Sequence, residues 1–140
     1  MKNIIYILFL LILLSFKYLN AQSIDFTKDC EKYLQLPFIP DGHDYSIELN
    51  KDTKGEFKTT FYGGSTYRII ACSNLPQGKV IFTIYDVDKN KLFSNKDFNY
   101  TTFWDFVFRS TIDCIIETKF ESEIANTAQI RLIIAFKNQQ

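Results

Sequence analysis

The stretch FNYTTFWDFVFR, from Phe98 to Arg109, decides the fold class of this 140-residue chain. Its even-numbered positions are almost all aromatic, with Trp104, Phe106 and Phe108 in succession. Alternation with a period of two is typical of a β-strand, whose successive side chains point to opposite faces. We therefore predict a strand over 98–109 with its even positions in the core. Because this run exceeds a typical strand, we expect a bulge or corner near Thr101-Thr102.

The sequence on both sides of this stretch shows the same alternation, broken by turn residues. The further predicted strands are 45–50, 56–62, 66–72, 80–85, 91–93, 112–120 and 129–137. They predict a mainly β fold, an antiparallel β-sandwich or jelly roll of seven to eight strands. Gly63-Gly64 fits a two-residue hairpin turn, which would place Phe57 opposite Ile70 and Phe61 opposite Thr66.

The N-terminal residues 1–21 have the pattern of a cleaved secretory signal peptide. Lys2 precedes an apolar run from Ile4 to Leu14, and Ala21 stands before the expected cut. The run is shorter than the roughly 20 apolar residues that span a membrane, and Gln22 rather than cysteine follows the cut. We therefore expect a protein that is secreted, periplasmic or at the cell surface, with no transmembrane anchor after cleavage and no lipid.

Residues 22–140 have the length of one domain. A short helix is predicted at about 24–35, because Phe26, Cys30 and Tyr33 recur at helical spacing before Pro37. Cleavage removes Lys2 and Lys17, so 16 basic residues become 14 against 16 acidic ones. This slightly negative balance argues against nucleic acid as a partner.

The three cysteines, Cys30, Cys72 and Cys114, are expected to form one bridge in an oxidising compartment. Cys72 shares a strand face with Ile70, and Cys114 shares one with Ile116, so both are predicted to point inward. We favour a Cys72–Cys114 disulfide, while Cys30 paired with either of them, or no bridge, stays open. The remaining thiol would be free to form a cysteine-linked dimer.

Few residues suggest catalysis or a cofactor. His43 is the one histidine and stands in an apparent turn, so we predict no enzyme activity and no cofactor. Asp86, Asp88 and Asn90 begin like a calcium loop, but Lys91 stands where that loop needs glycine. We interpret these residues as a polar hairpin; they remain the candidates for a cation site.

Tyrosines on the outer strand faces are the candidates for ligand binding. Tyr62, Tyr67 and Tyr85 fall in the opposite phase to the predicted core. Exposed aromatic rings grouped on a sheet mark binding surfaces. We therefore consider them candidate contacts for a protein or glycan partner.

The segment from Phe57 to Glu121 resembles a known domain type. Its motifs are FYGGSTYRIIAC, VIFTIYDVDKNKLF and WDFVFRSTIDCIIE. Their order resembles the bacterial pre-peptidase C-terminal type of jelly roll, over about half of the chain. The sequence also resembles small secreted proteins of Bacteroidetes-type bacteria, whose signals often end in Ala-Gln as at Ala21-Gln22. The resemblance implies a non-catalytic accessory sandwich and carries over no functional residue.

These observations favour a secreted binding or interaction module at the cell envelope or outside the cell. Two other functions stay open. The first is a structural or assembly component that uses its unpaired cysteine, and the second is an enzyme of unrecognised type.

Overall fold

Two antiparallel β-sheets form the part of the protein that the computed structural model describes, residues 26–138. Its elements are helix α1 (Thr27–Glu31), a 3₁₀ helix (Asn95–Phe98) and nine strands: β1 (Ile39–Pro40), β2 (Tyr45–Asn50), β3 (Gly55–Phe61), β4 (Ser65–Ser73), β5 (Lys79–Asp86), β6 (Lys91–Ser94), β7 (Phe103–Val107), β8 (Ile112–Glu121) and β9 (Thr127–Asn138). This confirms the predicted mainly β class with one short helix. The proposed signal peptide, residues 1–21, lies outside the described residues.

The strands divide between a sheet A and a sheet B. Sheet A has the order β1-β9-β4-β7, and β2 also pairs with β9. Sheet B has the order β3-β8-β5-β6. Strand β9 is 12 residues long and pairs with β4 on one side and with β1 and β2 on the other. The two short strands β1 and β2 therefore share one edge of sheet A.

The core fills the space between the sheets with alternate residues of each strand. Sheet A contributes Ile69 and Ile134, and sheet B contributes Phe82 and Ile116, all of them fully buried. Each such side chain contributes about 1.5–3 kcal/mol when it leaves water. Within residues 26–138, no helix is long and apolar enough to cross a membrane.

The expected hairpin at Gly63-Gly64 is wrong. Strand β3 pairs with β8, whereas β4 pairs with β7 and β9, so the chain crosses from sheet B to sheet A at these glycines. Phe57 therefore lies opposite Ile116, and Ile70 lies opposite Ile133. Gly64 has a φ of +85°, a conformation that glycine adopts without a steric cost. A hairpin turn and a tight crossing between sheets can both require such a φ. The two glycines thus predict a turn but not its partners.

The predicted strand 98–109 is interrupted at its start. Strand β7 covers Phe103–Val107 only, and the chain before it bends at Asn99 and Tyr100, whose φ values are 54° and 56°. The corner therefore falls just before the expected site at Thr101-Thr102. Trp104 and Phe106 do pack against the main core, as predicted, whereas Phe98 at the start of the run is 46% exposed and not in the core.

The side chain of Asn95 holds this corner in place. Its amide donates to the carbonyl oxygens of Val80 and Thr101 at 2.9 and 3.0 Å. Its side-chain oxygen accepts a bond of 2.9 Å from the Phe82 N–H. These hydrogen bonds fix a bend in the chain. The alternation of apolar residues does not show this bend, so it predicted a longer strand than β7.

The favoured Cys72–Cys114 disulfide is wrong, and the bridge joins Cys30 to Cys72 with a Cα–Cα distance of 5.6 Å. Cys72 does share a face with Ile70, but this is the outer face of sheet A, where Ile70 and Cys30 form a small second core under α1. Cys114 points between the sheets, as predicted. Helix α1 ends at Glu31, before the predicted end at residue 35, because the segment turns there; residues 24 and 25 lie outside the described residues.

Candidate functional site

A short loop, Tyr62–Ser65, forms the crossing between the two sheets; we call it the tip loop. Three consecutive backbone N–H groups in it have partners. Tyr62 donates to the Tyr67 hydroxyl at 2.9 Å, Gly63 to the Thr111 hydroxyl at 3.2 Å, and Gly64 to the Phe108 carbonyl at 3.1 Å. A loop fixed in this way loses little further conformational freedom when it binds.

The Tyr62 side chain is the exposed feature of the tip loop, with 62% of its surface accessible. Gly63 lies directly against the β7–β8 turn, where an added Cβ would stand 2.9 Å from the Arg109 carbonyl oxygen. The tip loop and this turn therefore form one continuous surface. Val107, 64% exposed, adds an apolar side chain beside it.

Beside the tip loop, an open groove of about 590 Å³ runs between the edge of sheet A and strand β3 of sheet B. We call it the side groove. One wall comes from the β1–β2 link and the start of β2, and the other from β3. Its lining residues are Asp41, His43, Tyr45, Lys58, Thr59, Thr60, Tyr62, Ser65, Tyr67, Ile134 and Phe136.

Asp41 organises the first wall of the side groove. Its carboxylate accepts a 2.8 Å bond from the Tyr45 hydroxyl and a 3.0 Å bond from the His43 backbone N–H. Burial, and then the hydrogen bond to Asp41, raise the pKa of Tyr45 to about 12. The phenol therefore stays protonated at neutral pH and serves as a hydrogen-bond donor, not as a base.

The second wall carries Lys58, Thr59 and Thr60. Thr60 donates to the Asp113 carboxylate at 2.6 Å. Lys58 is exposed and, within residues 26–138, forms no ion pair. The groove is thus lined by Asp41, with the His43 imidazole 3.6 Å from its carboxylate, and by Lys58.

The structure places the three candidate tyrosines in different environments. Tyr62 stands exposed at the groove rim, whereas Tyr67 is only 7% exposed, so the expected exposed ring at Tyr67 is wrong. Its ring packs edge-on against Phe61, and its hydroxyl accepts the Tyr62 N–H. Tyr85 lies half-buried on β5 opposite Ile115, on the outer face of sheet B. The structure brings together Tyr62 and Tyr67 but not Tyr85.

The candidate cation residues form the turn between β5 and β6. Both carboxylate oxygens of Asp86 accept bonds of 2.8 Å from Asn90, one from its side chain and one from its backbone. These bonds lower the pKa of Asp86. Asp88 is exposed, and among residues 26–138 no group of three or more metal-ligating side chains comes together. The geometry favours the polar hairpin.

Sequence reasoning missed the residues around the tip loop. The alternation places Arg109 at the end of a predicted strand, and nothing in the sequence marks Val107 or Lys137 as a binding residue. Thr66 pairs with both Val107 and Lys137, so these two flank it on the same face of sheet A. Nothing in the local sequence reports this, because it depends on which strands pair.

The chain matches no protein-family model and no curated protein. It is similar in fold to a lysozyme inhibitor. That structure is PliG from Aeromonas hydrophila, a periplasmic lysozyme inhibitor of g-type lysozyme. The alignment has a TM-score of 0.51 and 7% identity, and it covers 68% of this chain and 85% of PliG. At this identity the likeness concerns the fold alone.

Proposed function

We propose that this protein is an exported, non-catalytic binding module that inhibits a cell-wall-cleaving hydrolase of the lysozyme class. The fold likeness to PliG supports a protein partner of this kind. Fold alone does not carry function, so the proposal rests on the tip loop. The expected signal peptide at residues 1–21 supports export.

The observation that carries the proposal is the exposed Tyr62 ring on a loop whose backbone N–H groups are already bonded. Tyrosine and arginine dominate the energetically important residues of protein interfaces. Tyr62 and Arg109 belong to adjoining turns, so the surface offers one residue of each type.

The charge around the tip loop agrees with a glycoside hydrolase as the partner. Arg109 belongs to the turn that lies against the tip loop, and Lys137 lies opposite Thr66, the residue that follows the loop. Glycoside hydrolases present a pair of carboxylates in their catalytic cleft. A cationic tip is the complement of such a cleft, since opposite charges steer and orient association.

The proposal is tested by measuring cell-wall hydrolysis by a panel of lysozymes, a g-type enzyme among them, with increasing amounts of the mature chain, residues 22–140. We expect dose-dependent inhibition of at least one enzyme, with a one-to-one complex in analytical ultracentrifugation. If every enzyme keeps full activity and sediments alone, the proposal is wrong.

The alternative of a cysteine-linked assembly has less support. Cys114, the free thiol of the described residues, is 2% exposed and lies in the main core. Burial raises the pKa of its thiol to about 11. An intermolecular disulfide would require the sandwich to open, because the Cys114 sulfur is buried in the core. The raised pKa also keeps the thiol protonated, whereas the thiolate is the form that reacts.

A further inference from the structure

We propose that Asn99 is the attachment site of an N-linked glycan. Residues 99–101 are Asn-Tyr-Thr, which is the acceptor pattern for N-glycosylation, asparagine followed two residues later by serine or threonine. Every other asparagine of the chain lacks serine or threonine at this spacing. The proposal goes beyond inhibition of a hydrolase, because it assigns a covalent modification to a different part of the molecule.

Asn99 has the accessibility that a glycan requires in the folded protein. It follows the 3₁₀ helix Asn95–Phe98 and is exposed. Its backbone has a φ of 54° and a ψ of 36°, a left-handed conformation that asparagine tolerates. Within residues 26–138 its side-chain amide forms no hydrogen bond, whereas the nearby Asp97, Tyr100 and Thr101 side chains all do. A sugar on this amide therefore displaces no contact of the fold.

The attachment is a glycosyl transfer to the Asn99 side chain. The Nδ2 nitrogen forms a bond to C1 of the first sugar, while the C1–O bond to the pyrophosphate of a lipid-linked donor breaks. The lipid pyrophosphate leaves with the bonding electron pair, and the amide loses one proton to a base of the transferase. The co-reactants are thus the lipid-linked sugar and a membrane-bound oligosaccharyltransferase. Export, which the pattern of residues 1–21 predicts, would bring the chain to such an enzyme.

The hydrogen bonds of the acceptor pattern indicate when transfer occurs. The Thr101 hydroxyl, which belongs to the pattern that the transferase recognises, donates to the Phe103 carbonyl at 3.0 Å in the folded protein. The Tyr100 hydroxyl donates to the Glu121 carboxylate, also at 3.0 Å. The pattern is therefore accessible before this corner of the chain closes. We expect transfer to accompany export and to precede folding.

A glycan on Asn99 would lie beside the open edge of sheet A. Among the described strands β7 pairs with β4 alone, and an unpaired strand edge can associate with other chains. Phe98 is 46% exposed, and its ring centroid lies 4.5 Å from that of Trp104. A hydrated glycan on the next residue shields this apolar edge. The tip loop lies at the other end of β7, beyond Val107, and stays free to bind.

Mass spectrometry of the exported protein, purified from the cells that naturally make it, tests the proposal. Trypsin releases residues 97–109 as one peptide, because Lys96 precedes it and Arg109 ends it. We expect this peptide to carry the added mass of a glycan on Asn99. An unmodified 97–109 peptide in the exported wild type would overturn the proposal.

Two substitutions of Thr101 distinguish N-glycosylation from any other modification of this peptide. Thr101→Ser keeps the hydroxyl and should keep the glycan, whereas Thr101→Val removes the hydroxyl and should lose the glycan, although both variants retain Asn99. Asn99→Gln should lose it as well. Asn90→Gln is the matched control, because Asn90 is exposed but lies outside the acceptor pattern. A modification that persists in Thr101→Val or in Asn99→Gln would contradict the proposal.

Discussion

At the scale of single residues, the two glycines of the tip loop have different constraints. A Cβ on Gly63 would stand 2.9 Å from two backbone atoms of the β7–β8 turn, whereas a Cβ on Gly64 would meet nothing within 4 Å. Gly64 is constrained instead by its φ of +85°. Gly63 is therefore needed because the β7–β8 turn leaves no room for a side chain, and Gly64 is needed because of its backbone conformation.

Alanine substitutions separate these two constraints. We expect Gly64→Ala to lower the free energy of unfolding by about 1 kcal/mol, the cost of a positive φ. Gly63→Ala should lower it by about 1–3 kcal/mol, because the contacted atoms are backbone and cannot rotate away. Urea unfolding measures both. Equal stability of Gly63→Ala and the wild type would show that the tip loop is not packed against the turn.

The burial of Tyr45, together with its hydrogen bond to Asp41, predicts a pH dependence of stability. The pKa of Tyr45 is raised to about 12 in the folded protein, against about 10 for an unperturbed tyrosine. The folded state therefore binds the proton more tightly, so this contribution to stability is complete below pH 10 and is lost as the pH rises towards 12. Ultraviolet titration should show one late-ionising tyrosine that Tyr45→Phe removes and Asp41→Asn shifts to lower pH.

At the scale of elements, helix α1 depends on its disulfide. A five-residue helix is far too short to be stable alone. It is held by Cys30–Cys72 and by Arg68, whose guanidinium donates to the Tyr33 carbonyl at 3.1 Å and contacts the Phe38 ring. The same guanidinium pairs with Asp105 through two bonds, of 2.7 and 2.8 Å.

Replacing Cys30 and Cys72 together by serine should lower the free energy of unfolding by about 4 kcal/mol in the chain-entropy model. The bridge closes a sequence separation of 42 residues, which explains the size of the effect. Thermal unfolding with and without reductant provides the measurement. Cys114→Ala is the control, since its stability should still fall on reduction. Identical melting of the double variant and the wild type would contradict this account.

The corner before β7 depends on Asn95. Asn95 is 1% exposed and its side chain makes three hydrogen bonds. Asn95→Ala should lower the free energy of unfolding by about 3 kcal/mol, because buried backbone groups lose their partners. Asn90→Ala, at an exposed turn, should cost much less. A similar small loss in both variants would show that the corner does not need the Asn95 amide.

The sequence predicted where the strands lie better than it predicted which strands pair with each other. The alternation around Trp104 and Phe106 identified strand and core face correctly, because both are local properties. The crossing at Gly63-Gly64 and the outward direction of Cys72 depend on which sheet each strand joins. That choice is made by long-range pairing, which no local pattern encodes.

At the scale of the whole molecule, the candidate site is a product of topology. Of its members, Tyr62 was found from strand phase, and His43 was identified as a turn residue. Asp41, Lys58 and Arg109 had no signal of their own, because they become neighbours only when β1 and β2 share one edge and β3 lies in the other sheet. The fold class can be predicted from the alternation of apolar residues. The site cannot, because it depends on which strands pair.

The most direct test of the account is the dissociation constant of the lysozyme complex for Tyr62→Ala compared with Tyr85→Ala. Both remove a tyrosine ring, but Tyr62 stands exposed on the tip loop and Tyr85 lies on the outer face of sheet B. We predict that Tyr62→Ala weakens binding by about 30-fold, which corresponds to about 2 kcal/mol for an interface hot spot, and that Tyr85→Ala leaves it unchanged. Wild-type affinity in a folded Tyr62→Ala variant would contradict the central claim.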